Sequence, residues 1–146
     1  MNDLIPDGVA KARAYLDALP QFEPVTRHYF ADGMYCREVF RPAGVAVVGR
    51  VHKREHFYMV TQGKVLIKDD HGAREAEAPA VIVSKPGTQR VVIAMTDATC
   101  LTVHRTDKTD LDAIADELLE ADPDSRYTTD NKPLERIGGQ SHEVLQ

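Results

Sequence analysis

The sequence predicts a mainly β domain, a small sandwich or barrel with one helix before it and one after it. Three observations lead there. From Thr26 to about Arg105, short apolar or alternating runs are cut by turn-forming residues at intervals of about 8–12, the spacing of antiparallel strands. No stretch of helix length lies between them, which argues against a parallel α/β sheet. Helical patterns occur only outside this region.

The first helix is expected over Asp7–Leu19. Pro6 and Asp7 stand where a start signal belongs, and Val9, Ala12, Tyr15, Leu16 and Leu19 recur at helical spacing before Pro20 stops the run. Its modest stripe suits a helix lying on the barrel or on a partner. The strand runs are Tyr35–Phe40, Val45–Val51, Phe57–Thr61, Lys64–Lys68, Val81–Val83, Arg90–Ala94 and Cys100–His104. They are separated by turn signals such as Ala31-Asp32-Gly33, Gln62-Gly63, Asp69-Asp70-His71-Gly72 and Lys85-Pro86-Gly87. A second helix is expected over Asp110–Ala121, with Thr109 as its cap and Asp112 in the capping-box position usually held by Glu. Leu111, Ile114, Ala115, Leu118 and Leu119 form its apolar stripe, and Pro123 ends it. The chain thus divides into an N-terminal helical segment (1–25), a barrel with its C-terminal helix (26–122), and a polar tail (123–146), loose or ordered by a partner.

The 146 residues suit one domain. Eighteen Lys and Arg against 23 Asp and Glu give a net charge of −5, which argues against nucleic-acid or anionic-membrane binding. No apolar run reaches the roughly 18–20 residues of a membrane span, and the first twenty residues lack the pattern of a signal peptide. Two cysteines, Cys36 and Cys100, make no disulfide framework and fit a reducing cytoplasm. There is no nucleophile elbow, phosphate loop, dinucleotide fingerprint or Cys-x-x-Cys. His28, His71 and His142 fall in segments expected at the surface.

The chemistry concentrates in Gly49-Arg-Val-His52-Lys-Arg-Glu55-His56-Phe-Tyr-Met-Val-Thr-Gln-Gly63. Two histidines lie four apart across a short charged turn. If that turn joins adjacent strands, His52 and His56 sit at the facing ends of one hairpin and their imidazoles converge. Zinc, iron, manganese and nickel all accept such nitrogens. A second expected hairpin, Arg90–His104 turning near Asp97, sets Arg90 opposite His104, so that the two share one face of the sheet; the resemblance given below implies that this face is the cavity's. The metal set is then His52, His56 and His104, three ligands that leave a position open. Tyr58 and Thr102 share the inward parity and line the pocket. Cys100 shares it too, as a buried structural cysteine.

The same segment resembles the first motif of the cupin superfamily, a glycine, His-x-His, a later Glu and a closing glycine. Counting back from Gly63, His56 falls on the Glu position, His52 on the second His, Arg50 on the first and Gly44 on the leading glycine. Lys85-Pro86-Gly87-Thr88-Gln89-Arg90 resembles the second motif, a Pro-Gly turn followed by a His, with Arg90 on the His position. The resemblance spans roughly Phe40–His104, is similar to that of small stand-alone cupins associated with bacteriophage genomes, and implies a cupin-type, jelly-roll-like β-barrel. Cupin-type barrels commonly pair, so a homo-oligomer, most simply a dimer, is expected.

Arg50 and Arg90 bring positive charge towards a bound cation, and two arginines in a barrel mouth also suit a carboxylate or phosphate. Three functions follow. One is a divalent-metal-binding cupin, enzymatic if the ion acts on a small anionic molecule oriented by Arg50 and Arg90. Another is a structural or assembly protein, virion-associated if phage-encoded. The third is a metal-free binder of small anions.

Overall fold

The computed structural model describes residues 4–134. In chain order these residues form α1 (Val9–Asp17), β1 (Val25–Ala31), β2 (Met34–Arg41), β3 (Ala46–Val48), β4 (His56–Gln62), β5 (Lys64–Asp69), β6 (Gly72–Glu77), β7 (Ala80–Ser84), β8 (Val91–Ala94), β9 (Ala98–Arg105) and α2 (Leu111–Leu118). All strand pairs are antiparallel. One sheet has the order β1-β2-β9-β4-β7, and the other β3-β8-β5-β6. Tyr58, Val60 and Cys100 of the first sheet pack with Val65, Ile67, Val92 and Ala94 of the second in one buried cluster. The mainly β class therefore matches the sequence reading. No helix among the described residues is long and apolar enough to cross a membrane.

Two strands fall outside the runs picked out from the sequence. β1 has no buried residue, and β6, Gly-Ala-Arg-Glu-Ala-Glu, is exposed at all but one position. β6 shows no half-buried alternation, and β1 alternates over Val25–Tyr29 only by half-burying Thr26 and His28, with no apolar inward row. β1 is held by pairing along its whole length with β2, and β6 by pairing with β5.

The two expected hairpins are corrected. β3 pairs with β8 and β4 pairs with β7 and β9, so the turn carrying His52 crosses from one sheet to the other. β8 likewise pairs with β3 and β5, while β9 pairs with β2 and β4. Arg90 and His104 are therefore not cross-strand partners. His104 lies opposite Tyr35 of β2 instead.

Both helices are shorter than expected. Gly8, not Asp7, occupies the N-cap of α1 and offers no side chain. The missing cap comes from far along the chain, as the Asp70 carboxylate accepts the Val9 amide hydrogen at 2.9 Å. Asp7 pairs instead with the buried Lys68 at 3.0 Å. Ala12 packs with Ile5, Val91 and Ile93, so α1 covers the outer face of the four-stranded sheet. In α2 the cap is Asp110 rather than Thr109; its carboxylate accepts the Ala113 amide at 3.0 Å. Ile114 and Leu118 bury against Tyr35.

The described part of the polar tail is also not loose. Tyr127 donates to the Phe22 carbonyl at 2.8 Å, Asn131 to Thr26 at 2.9 Å and Arg126 to the Asp17 carbonyl at 3.0 Å. Asp130 bonds His28 at 2.8 Å, and the other ring nitrogen of His28 bonds the Tyr35 hydroxyl at 2.7 Å. His28 is thus a partly buried bridge rather than a surface residue. The tail beyond 134, including His142, lies outside the described residues.

Candidate metal centre

Three segments bring three histidines together. The crossing that carries His52 is fixed from two sides. The Gly87 amide, in the Pro86-Gly87 turn, donates to the His52 carbonyl at 2.9 Å. On the other side Lys53 donates its amide to Leu118 and Glu120 donates to Val51, at 2.7 and 2.9 Å, which ties the crossing to the end of α2. Thr106 and Arg54 both donate to the Glu117 carboxylate at 2.7 Å, adding side-chain links between the same parts. His56 begins β4 and His104 lies on the neighbouring β9, both buried and both facing inward.

The three rings stack, with centroids 4.1–4.8 Å apart and interplanar angles of 12–23°. One ligand nitrogen from each lies within 4.8 Å of the others. His52 Nδ1 and His104 Nε2 share a hydrogen bond of 2.9 Å, in which one ring donates and the other accepts. His56 Nδ1 donates to the Arg54 carbonyl at 3.0 Å, which leaves the Nε2 lone pair free. The buried Nδ1 of His104 has no hydrogen-bond partner among the described residues.

Electrostatics keep the rings neutral. Burial is the main cause, reinforced by the neighbouring rings and by Arg37, and it pushes His52 down to about 2 and His104 down to about 3. Burial also lowers His56, with Arg90 acting in the same direction against the raising effect of its bond to Arg54. Neutral imidazoles carry the lone pairs that a metal requires. The donor set, three neutral imidazoles with no carboxylate among them, fits a borderline divalent ion such as zinc.

The cluster lines a cavity of about 420 Å³ bounded by the two sheets, α1, α2 and the segment after α2. Tyr58 and Thr102 line it and face each other across β4 and β9. Arg50 and Arg90 border it, but both have partners. Arg50 donates to the Glu120 carbonyl at 2.7 Å and lies 3.8 Å from Asp122. Arg90 donates to the Ser84 hydroxyl and sits over the Tyr58 ring, 5.3 Å from its centre. Glu55 pairs at the surface with Lys85. Cys100 is buried in the core cluster.

Two further arginines enter the cavity from β2, and the sequence reading did not single them out. Tyr35, Arg37, Val39 and Arg41 alternate on the inward face of that strand and all line the cavity. Their period-two spacing with Tyr35 and Val39 is the one sequence feature that bears on them, and it does not by itself say which face of β2 is inward. Arg41 is only 8% exposed, and among the described residues its Nε and Nη1 have no hydrogen-bond partner, nor does the buried Tyr58 hydroxyl. Burial pushes the Tyr58 phenol up and Arg37 down.

The arrangement has clear structural likenesses. A cupin superfamily protein from Desulfitobacterium hafniense superposes with a TM-score of 0.51 at 14% identity, over 64% of this chain and 87% of that one. A cupin 2 conserved barrel domain protein from Salinispora arenicola gives 0.50 at 15% identity, over 68% and 85%. The cupin-2 domain of an XRE family transcriptional regulator from Enterobacter cloacae gives 0.50 at 10% identity, over 60% and 100%. No protein-family model matches the sequence, and no curated protein does. Two facing antiparallel sheets border a histidine-lined cavity. The fold is that of the cupin superfamily.

Proposed function

We propose that this protein is a divalent-metal-binding cupin in which His52, His56 and His104 hold the ion. The observation that carries the reading is the convergence of three neutral imidazoles from three segments, His56 and His104 buried and His52 half-buried, with His56 already oriented by the Arg54 carbonyl. When bound, such an ion supplies Lewis-acid polarisation of an oxygen on a small molecule in the cavity. The chain's own part is to present lone pairs, exclude carboxylates from the cluster and surround the site with positive charge that favours an anionic ligand.

Metal content decides the matter. Purified protein incubated with Zn²⁺, Mn²⁺, Fe²⁺ or Ni²⁺ and then desalted is expected to retain one ion per chain. The His52→Ala, His104→Ala double variant, still folded by circular dichroism, is expected to retain none. Wild-type protein that holds no ion under any of these loadings would falsify the reading.

A homodimer is part of the same proposal. Tyr29, Cys36, Val103, Phe57 and Val83 pair in register across all five strands of one sheet, on the face turned away from the cavity. Tyr29, Phe57 and Val83 are each about half exposed, an apolar row of the kind that a second copy covers. Sedimentation is expected to show a dimer for the wild type and a monomer for Phe57→Lys.

A further inference from the structure

The five-stranded sheet turns two guanidiniums into the cavity: Arg41 Nε and Nη1 make no hydrogen bond among the described residues, and Arg37 feels the charge of Asp130. Among the described residues the carboxylates that border the cavity are Asp17 and Asp122. Asp122 accepts two hydrogen bonds from Arg13, at 2.9 and 3.1 Å, and also faces Arg50. Asp17 lies 3.9 Å from Arg13. Both carboxylates are thus engaged by Arg13. A buried guanidinium with unmade hydrogen bonds is costly, and a second one in the same cavity adds repulsion. The remedy is a negatively charged ligand.

Register gives the position. Arg37 lies opposite Thr102 on β9, and Thr102 lies opposite Tyr58 on β4, so the three form one inward row. That row is two residues, about 7 Å along the strand, from the level of His104. The electrostatic influence of Arg41 reaches both Tyr58 and Arg37. Val39, Val47, Val92 and Cys100 complete the lining with apolar surface. A guanidinium fork matches the two coplanar oxygens of a carboxylate, and the apolar wall accommodates a hydrocarbon body. About 420 Å³ is enough for a small organic molecule.

We propose that Arg37 and Arg41, with the Tyr58 hydroxyl, form a site for the carboxylate of a small organic acid whose apolar body lies along the valine-lined wall. The site goes beyond the metal reading and does not depend on it. Its ligand reaches from the arginines towards the histidine cluster.

The test uses EDTA-treated full-length protein and three probes, benzoate, acetate and inorganic phosphate, with chloride at matched ionic strength as the reference. Benzoate is expected to bind saturably by calorimetry and to raise the melting temperature, with acetate and phosphate at least about tenfold weaker. Arg41→Lys keeps the charge but loses the fork, and about a tenfold loss is expected; Arg37→Met with Arg41→Met abolishes binding, as each lost charged hydrogen bond costs roughly tenfold or more. Circular dichroism checks that each variant is folded. Benzoate binding that survives in the double Met variant overturns the proposal, and so does its absence from the wild type. Phosphate binding as tight as benzoate overturns the assignment to an organic acid. Loss of metal with retained benzoate binding separates failure at the histidines from failure at the arginines.

Discussion

The two sheets meet face to face over a shared apolar cluster, yet only one inner face also carries a set of polar groups. The four-stranded sheet presents Val47, Val65, Ile67, Val92 and Ala94, an apolar wall. The five-stranded sheet adds Val39, Val60, Ala98 and Cys100 to that core and also presents Tyr35, Arg37, Arg41, His56, Tyr58, Thr102 and His104. Their outer faces are reversed. α1 seals that of the four-stranded sheet, whereas the other carries the exposed row around Phe57. The contrast separates two tasks. One wall supplies burial and hence stability. The other holds polar groups against that dry wall, where low polarity keeps imidazoles neutral and leaves guanidiniums in need of an anion.

The sharpest way to break this contrast is to damage the apolar wall. Ile67 is 4% exposed, and Ile67→Ala leaves a cavity in the shared cluster. A loss of about 2–5 kcal/mol is expected from chemical denaturation, the usual range for such truncations. A loss under about 1 kcal/mol would mean that the two walls share the stabilising role equally.

Much of this arrangement was legible in the sequence, though not all for the right reason. Alternation located the buried strands, because Val65 and Ile67 or Cys100 and His104 repeat at period two against more exposed neighbours. The histidine spacing marked the cluster. Pairing was not legible. A Lys-Arg-Glu turn reads alike whether the chain doubles back within one sheet or crosses to another, and here it crosses. His104 reaches the cavity because β9 lies between β2 and β4, not because it faces Arg90. Arg37 and Arg41 were ambiguous for a similar reason. On β2 the set Tyr35, Arg37, Val39, Arg41 and the set Cys36, Glu38, Phe40 each mix polar with apolar residues, so parity alone did not say which faced inward.

A middle-sized effect comes from pH and probes the polar wall. The folded state holds His104 well below its ordinary value of 6.5, at about 3, so the unfolded chain takes up that proton first as pH falls. The stability that this neutral ring contributes is fully present above about 6.5 and declines from there towards about 3. At about 1.4 kcal/mol per pH unit, the loss at pH 5 is about 2 kcal/mol for this one buried group. His52 and His56 shift in the same direction. Denaturation of metal-free wild type at pH 8 and pH 5 measures the sum, and His104→Asn is expected to flatten the dependence. A wild-type profile flat between these values would show the imidazoles to be as well solvated as free histidine.

The smallest effect has the opposite sign and sharpens the comparison most. Truncating the apolar wall removes favourable contacts, but Arg41→Met removes a 92%-buried cation whose Nε and Nη1 have no partners and replaces it with a flexible apolar chain of similar length. In ligand-free protein Arg41→Met is expected to raise stability by about 1 kcal/mol, since the desolvation cost goes and little bonding is lost. Saturating benzoate reverses the ranking, because the wild type then gains binding energy that the variant cannot. Melting curves of both proteins with and without benzoate therefore cross. If Arg41→Met is destabilising by more than about 1 kcal/mol without ligand, the guanidinium belongs to the structural core, and the division between a stabilising wall and a binding wall does not hold at β2.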